Sequence, residues 1–324
     1  MSINIFVFLV VLALAIVSGW LFLKAIRASK LWIKMVGGLV ASGACVGFAV
    51  LAIMGGIGIL KYYFPRVGPA PELTVASTPE QLARGEYLVN LTCIGCHGSV
   101  DAQGNQTREQ PLQGGWNFGA SKGVGFAGRI AAENLTPGGK LANYTDGEIF
   151  RALRFSVNQD GHLLSAMSLL PYSQLSDADI EALIAYLRSL SPVENKQSTG
   201  DNLNYIGMLA AGAGFYGNPK TASSSVSAPS EGVTPEYGKY VATYGDCRIC
   251  HGPDMTGAKA SIALPKAPNP RFYVEEITQA EFIQMMRTGI RANGVPFKDI
   301  MPWQNAAHMS DDDLAALYLY LTAQ

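Results

Sequence analysis

Two long apolar runs occupy the start of the chain. Residues 3–23 are uncharged and almost wholly apolar, and residues 35–60 form a second uncharged run that is rich in Gly, Ala, Val and Ile. Each run is long enough to cross the roughly 30 Å hydrocarbon core of a bilayer as a helix. The pattern predicts a transmembrane helical hairpin that anchors the protein through residues 1–64.

The charges between the two runs predict their orientation. Four basic residues lie in this connection: Lys24, Arg27, Lys30 and Lys34. The positive-inside rule places the connection in the cytoplasm and both chain ends outside. A cleaved signal peptide is the alternative for the first run, but its basic residues would precede the apolar run rather than follow it. We therefore expect a multi-pass protein of the cell inner (cytoplasmic) membrane, with the rest of the chain on the periplasmic side.

The overall charge is nearly balanced, but its distribution is uneven. The chain has 24 Lys and Arg against 25 Asp and Glu, and five basic residues but no acidic ones precede Pro65. The remainder therefore has 19 basic and 25 acidic residues. No segment has the basic surface that nucleic-acid binding requires, so nucleic acid is excluded as a partner.

Beyond residue 77 the hydrophobic pattern occurs twice. Ser176 and Ser310 are each followed by acidic residues, which suits a helix N-cap and the positive end of the helix dipole. Apolar residues then recur at i, i+3, i+4 and i+7 after both serines, as on one face of a helix. The chain therefore contains an internal repeat of two units.

The beginnings of the two units also match. Thr78 and Thr234 each precede Pro-Glu, which is typical of the first turn of a helix. Gly85 and Gly238 follow in equivalent positions. Because glycine lets another backbone approach closely, we expect the first and last helices of each unit to cross at these positions.

Each unit contains one Cys-x-x-Cys-His motif. At this spacing two thiols can add to the two vinyl groups of a haem while the adjacent imidazole reaches the iron. A zinc site, a redox dithiol or a disulfide is the alternative for a single motif, but no other Cys and His cluster completes a zinc site. The motifs predict two covalently bound haem c groups, attached through Cys93, Cys96, Cys247 and Cys250, with His97 and His251 as iron ligands.

A methionine lies nine residues before the serine cap in both units. These residues, Met167 and Met301, are the predicted second iron ligands, because methionine is a usual ligand in electron carriers and raises the reduction potential. His162 competes with Met167, but it follows Asp-Gly, which is typical of a turn. His308 competes with Met301, but it lies just ahead of a helix cap.

These features resemble the class I cytochrome c family twice over. In that family an N-terminal helix leads into Cys-x-x-Cys-His, a loop covers the haem, and a distal Met precedes a C-terminal helix. The resemblance implies an all-α fold, here two N-terminal transmembrane helices followed by two class I cytochrome c domains. The first unit is similar to cytochrome c subunits of membrane-bound alcohol, aldehyde and gluconate dehydrogenases, at residues 84–89, 134–137, 144–148 and 175–179.

Two departures from those subunits are visible in the sequence. Those subunits resemble three-haem proteins with a C-terminal anchor. This chain instead has two haem motifs and a predicted N-terminal anchor. Their distal ligand reads Met-Pro-Tyr, whereas here three residues separate Met167 from Pro171.

The resemblance also implies groups that support the haem. The Pro111–Leu112 segment is the expected source of a carbonyl that orients the first imidazole. In the second unit Pro265, Pro268 and Pro270 are candidates for the same role. Arg129, Arg151 and Arg154 are candidates for pairing with propionates, with solvated helix faces as the alternative.

The domain boundaries follow from these patterns. We predict an anchor over residues 1–64, a proline-rich tether over 65–76, cytochrome c domain 1 over 77–193, a linker over 194–232 and cytochrome c domain 2 over 233–324. Within the linker, residues 204–217 are apolar and predict an interface, whereas residues 220–232 are serine-rich and predict flexibility.

The expected function is electron transfer by a membrane-anchored dihaem cytochrome with no substrate chemistry of its own. The partners would be a quinol-oxidising complex or dehydrogenase on one side and a terminal oxidase, reaction centre or soluble cytochrome on the other, within a respiratory or photosynthetic complex. One alternative is a dihaem oxidoreductase, of peroxidase or thiosulfate type, with one open haem iron. Another is the cytochrome subunit of a haem-copper oxidase.

Overall fold

The predicted helical character is confirmed by a computed structural model. It describes residues 1–195, 197–220, 225–260, 266–298 and 300–323. Pro265 and residues 221–224 of the serine-rich segment lie outside these ranges. The described residues form two long N-terminal helices, two helical units and one short strand pair.

Two helices at the N-terminus are long and apolar enough to cross a membrane. Helix α1 spans Ser2–Ile26, and a π-helical turn at Ile33–Gly37 continues directly into α2 at Gly38–Tyr63. The two helices pack against each other along their length. Many of their large side chains remain exposed, including Ile3 at 71% and Leu39 at 74%. Such a continuous apolar surface is stable only when something apolar covers it.

The first helical unit begins after an extended segment. Helix α3 (Pro79–Leu88) continues through a π-helical turn at Val89–Cys93 into α4 (Ile94–His97). The unit also contains α5 (Phe118–Ser121), α6 (Asp146–Phe155) and α7 (Asp177–Ser189). The predicted caps are confirmed, because the side chains of Thr78 and Ser176 accept hydrogen bonds from the backbone N–H groups of the first turns.

The first unit is joined to the N-terminal helices by the segment that follows it. Strand β1 (Gly128–Arg129) pairs antiparallel with β2 (Asn202–Leu203), and α8 (Tyr205–Gly212) comes directly after β2. Helix α8 packs against α2, as the apolar pattern of residues 204–217 predicts for an interface. A Cβ atom at Gly58 would lie 1.8 Å from the Met208 carbonyl oxygen, so the two backbones are in direct contact.

The second helical unit follows the same plan. Its helices are α9 (Pro235–Tyr244), α10 (Cys247–His251), α11 (Arg271–Val274), α12 (Gln279–Thr288), α13 (Trp303–Ala306) and α14 (Asp311–Thr322). Thr234 caps α9 and Ser310 caps α14, as predicted. The strongest packing within this unit is between its first helix, α9, and its last, α14.

The first and last helices of both units cross at the predicted glycines. A Cβ atom at Gly85 would lie 2.0 Å from the Ala182 carbonyl oxygen of α7. A Cβ atom at Gly238 would lie 1.9 Å from the Ala316 carbonyl oxygen of α14. Real Cβ atoms do not approach a carbonyl oxygen so closely, so both crossings require glycine.

The two units contact each other through a reciprocal pair of tyrosines. Tyr87 of the first unit donates a hydrogen bond to Asp313 and accepts one from the Ser310 backbone N–H, at the start of α14. Tyr240 of the second unit donates to Asp179 at 2.6 Å and accepts from the Ser176 backbone N–H at 2.8 Å, at the start of α7. Because the two tyrosines occupy equivalent positions in the repeat, the contact has approximate twofold symmetry.

This contact predicts that Tyr87→Phe and Tyr240→Phe each destabilise the pairing of the two units. Each change removes a hydrogen bond to a charged carboxylate, which contributes about 1.5–3 kcal/mol. The free energy of unfolding, measured by urea denaturation followed by tryptophan fluorescence, should fall by that amount. Tyr186→Phe is the matched control, because its hydroxyl makes no hydrogen bond within the described residues. Equal effects for all three variants would contradict the proposed role of the tyrosines.

Candidate haem-binding sites

The two Cys-x-x-Cys-His motifs lie on short helical turns that follow the first helix of each unit. Cys93 ends a π-helical turn and is buried, whereas Cys96 is the more exposed of the two. Cys247 and Cys250 are both partly buried on α10. All four are free thiols rather than a disulfide pair, so they are available for covalent attachment of a cofactor.

Each motif histidine is held in the same way. The Nδ1 atom of His97 lies 2.7 Å from the Glu133 carbonyl oxygen, and the Nδ1 atom of His251 lies 2.9 Å from the Pro268 carbonyl oxygen. Burial also lowers the pKa of His97, which favours the neutral ring. A neutral imidazole that donates from Nδ1 has a free lone pair on Nε2, which is the form that binds iron. The donor set therefore fits a haem at both motifs.

The prediction that Pro111 or Leu112 orients His97 was wrong. The Pro111 carbonyl accepts from the Gln113 backbone N–H at 2.8 Å, and the Leu112 carbonyl accepts from the Leu135 backbone N–H at 2.9 Å. The Glu133 carbonyl takes this role instead. In the second unit the structure selects Pro268 from the proline cluster.

The two predicted methionine ligands occupy similar surroundings. Met167 begins a short 3₁₀ helix, Met167–Leu169, and is partly buried against the hydrophobic core that includes Cys93. Met301 lies just before α13 and is partly buried against the same core. Their role as iron ligands stays a prediction.

The two histidines that compete with the methionines as iron ligands have different surroundings. The His162 ring stacks on Tyr62 with 5.8 Å between ring centroids, and it meets Tyr63 edge-on at 5.0 Å. Both tyrosines are at the end of α2, so His162 belongs to the contact between the first unit and α2. His308 is exposed just before the cap of α14.

The three candidate arginines are engaged by other groups. Arg129 donates to the backbone carbonyls of residues 199 and 200, and Arg151 donates to those of residues 158 and 159. Arg154 is buried and forms an ion pair with Asp177 at 2.5 Å. These contacts favour a structural role over propionate binding.

A partly buried polar contact joins the two motifs directly. Thr92 and Asp246 immediately precede the first cysteine of their motifs, and the Thr92 hydroxyl donates to Asp246 Oδ2 at 2.7 Å. The Tyr172 hydroxyl lies 2.5 Å from the Thr92 hydroxyl and donates to Asp246 Oδ2 at 3.3 Å. We name Thr92, Tyr172 and Asp246 the junction. Sequence reasoning missed it, although the equivalent positions of Thr92 and Asp246 in the repeat were a usable signal.

The Asp246 carboxylate is difficult to ionise in this position. Burial raises the pKa of Asp246 to about 7, although hydrogen bonds from Thr92 and Tyr172 favour the charged form. Its Oδ1 atom is buried and has no hydrogen-bond partner within the described residues. The backbone of Asp246 is left-handed, with φ of 59°, a conformation that Asp and Asn tolerate better than most residues.

A different metal site finds no support. Within the ranges that the structure describes, no three His, Cys, Asp or Glu residues are grouped so that they could hold a metal ion. The motif cysteines therefore have no partners there for the tetrahedral zinc site that was the alternative.

Comparison with known protein families assigns both units. Residues 82–191 match the family model for cytochrome c, and residues 236–321 match the model for cytochrome c oxidase, cbb3-type, subunit III. The chain therefore contains two cytochrome c domains. Such domains carry covalently bound haem c and transfer electrons.

Individual relatives are similar to parts of the chain. The cytochrome c subunit of a quinone alcohol dehydrogenase from Gluconacetobacter polyoxogenes is 34% identical over 94 residues, which is 26% of this chain and 20% of that protein. The corresponding protein of Gluconobacter oxydans is 32% identical over 94 residues, again 26% of this chain and 20% of that protein. The fructose dehydrogenase cytochrome subunit of Gluconobacter japonicus is 27% identical over 130 residues, 36% of this chain and 26% of that protein. The chain thus spans about a fifth of the length of the alcohol dehydrogenase relatives.

Proposed function

We propose that this protein is a membrane-anchored dihaem cytochrome c that relays electrons between two redox partners. Cys93 and Cys96 would hold one haem, and Cys247 and Cys250 would hold the other. His97 and His251 would each be one iron ligand of their haem. The supporting observation is that both histidines donate from Nδ1 to a backbone carbonyl, which leaves Nε2 free in each domain.

We propose Met167 and Met301 as the second iron ligands. A haem with histidine and methionine ligands supplies reversible one-electron chemistry at a relatively high potential. The protein's own contribution is to fix each imidazole through the carbonyl of Glu133 or Pro268 and to bury each methionine against the core. With both axial positions filled, small molecules would be kept from the iron.

The anchor defines where the relay would operate. Helices α1 and α2 would cross the inner membrane, with the basic connection in the cytoplasm and both cytochrome domains on the periplasmic side. The contacts of α8 and His162 with α2 support a first domain held against the membrane surface rather than on a free tether. Haem attachment on the outer side is consistent with this topology.

The donor would be a dehydrogenase or a quinol-oxidising complex, and the acceptor a terminal oxidase, reaction centre or soluble cytochrome. Similarity of the first domain to cytochrome subunits of dehydrogenases supports the first half of this proposal. The two-helix anchor supports residence in a larger membrane complex.

A second candidate is the cytochrome subunit of a haem-copper oxidase. The match of residues 236–321 to the model for subunit III of a cbb3-type oxidase specifically favours it. Co-purification of other haem types and copper with the tagged chain would support this candidate. Purification with a dehydrogenase flavin or quinone cofactor instead would support the first.

An optical redox titration of the detergent-purified protein tests the relay. We expect two covalent haems per chain, the methionine-to-iron charge-transfer band in the oxidised form, and no binding of carbon monoxide by the reduced form. A haem that binds carbon monoxide would have an open iron position, which would replace the relay with the dihaem oxidoreductase alternative.

A further inference from the structure

The junction places one carboxylate between two haem-attachment motifs. Asp246 belongs to the second domain, yet its hydrogen-bond donors are Thr92 and Tyr172 of the first domain. Thr92 and Tyr172 are 6% and 4% exposed, and Asp246 is partly buried with its Oδ1 atom shielded from solvent. Within the described residues no Lys, Arg or His forms an ion pair with Asp246. Its negative charge is therefore not neutralised locally.

The same carboxylate acts on all four attachment cysteines. Burial raises the pKa of Cys93, Cys96, Cys247 and Cys250, and the Asp246 carboxylate is a further cause of the increase at each of them. Two of these cysteines belong to each domain. The charge is thus close to both attachment sites rather than to the one in its own domain alone.

We propose that Asp246 sets the reduction potentials of both haems from this shared position. Its charge would favour the oxidised, more positive state at each site, and so lower both potentials. This inference rests on the proposed attachment of haem at the two motifs. Asp246 acts here through the field of its carboxylate and is not an iron ligand.

The expected effect is large enough to measure. At an effective dielectric constant of about 20, a unit charge about 10 Å from a redox centre changes the ratio of oxidised to reduced centre by about tenfold. Screening by salt is weaker for a partly buried charge than for an exposed one. A tenfold change in this ratio corresponds to about 59 mV for a one-electron couple.

Asp246→Asn in the full-length, detergent-purified protein is the direct test. Asparagine tolerates the left-handed backbone at this position, and its amide oxygen can still accept the Thr92 hydrogen bond. The substitution therefore removes the charge with little change of shape. An optical redox titration at pH 8.5 should show both one-electron steps moved to higher potential by about 59 mV, a tenfold change at each haem.

Two further variants separate the effect of the Asp246 charge from the effects of a distant charge and of a lost hydrogen bond. Asp312→Asn removes an exposed carboxylate from the same domain and should leave both steps unchanged. Thr92→Val removes a hydroxyl donor but no formal charge, so its shift should be smaller than that of Asp246→Asn. Movement of only one step, or of neither, in Asp246→Asn would overturn the proposal. A wild-type protein with fewer than two covalent haems per chain would instead overturn the proposed function.

The pH dependence of the two reduction potentials provides a second test of the proposal. The groups that face Asp246 are the Tyr172 phenol, which burial keeps neutral by raising its pKa, and the four attachment cysteines, which are uncharged once attached. The cations that act on these cysteines are Arg108, which acts on Cys96, and Lys122, which acts on Cys250. With a pKa of about 7, Asp246 is charged at pH 8.5 and mostly neutral at pH 5.5. The difference between wild type and Asp246→Asn should therefore be full at pH 8.5 and nearly absent at pH 5.5, and an equal difference at both would contradict the proposal.

Discussion

Replacing Met301 with histidine should lower the potential of one haem by about 0.1 V or more and remove its methionine charge-transfer band. Axial ligands set haem potentials over a range of about 0.8 V, and methionine is the ligand that raises them. Met167→His should do the same to the other haem. Optical redox titration of each variant, with the oxidised spectrum recorded before titration, measures both effects. Because a histidine still fills the axial position, neither variant should bind carbon monoxide.

The competing histidines supply the controls for this prediction. His308→Ala changes an exposed residue in the second domain and should leave the potential and the band intact. His162→Gln removes a ring that stacks on Tyr62 and should likewise preserve the band of the first haem. If the first haem of the wild-type protein lacked that band, and His162→Gln allowed it to bind carbon monoxide while Met167→His did not, the ligand assignment in the first domain would be reversed. An unchanged spectrum in both Met variants would mean that other residues fill the axial positions.

Features of the fold that depend on neighbours in sequence were predictable. Helix caps at Ser176 and Ser310 follow from side chains that bond the backbone three residues away. The crossings at Gly85 and Gly238 could be predicted because the same glycine precedes the motif in both repeats. The cause of each cap lies within a few residues of the chain. The crossings were visible because the same pattern occurs in both repeats.

Contacts between distant parts of the chain were not predictable. Tyr87 and Asp313 are 226 residues apart, and each looks like an ordinary residue of an amphipathic helix. Their pairing depends on how the two domains dock, and no local pattern encodes that arrangement. The same applies to α8, whose apolar composition indicated an interface but not that α2 would be the partner.

The candidate haem sites show a similar division. Cysteine and histidine spacing identifies the attachment motifs, because only those side chains have the required chemistry. The carbonyl that orients His97 comes from Glu133, and every residue has a carbonyl, so side-chain identity contains no information about this role. Asp246 is the clearest case. Its proposed role arises from its partly buried position between the two domains, which neither domain's sequence shows alone.

Replacing Gly238 with valine should destabilise the second cytochrome domain by about 3 kcal/mol or more. Overpacking of a core usually costs about 1–3 kcal/mol, and here the first added atom would lie 1.9 Å from a backbone oxygen that cannot rotate away. Helix propensity alone predicts the opposite sign, because glycine is the less favourable residue in a helix by a few tenths of a kcal/mol. The expected loss therefore isolates the close crossing of α9 and α14. Thermal unfolding and covalent haem content per chain measure it.

Gly85→Val tests the equivalent crossing in the first domain, where the same overlap with the Ala182 carbonyl predicts a similar loss. Gly68→Val is the control, because no atom lies within 4 Å of a Cβ at that exposed position. Its effect on stability should stay within about 0.5 kcal/mol. If the two domains unfold independently, each glycine variant should first lose the haem of its own domain. The reason is that the crossing helix leads directly into that domain's motif. Loss of both haems together in either variant would mean that the reciprocal contact of Tyr87 and Tyr240 makes the two domains fold as one unit.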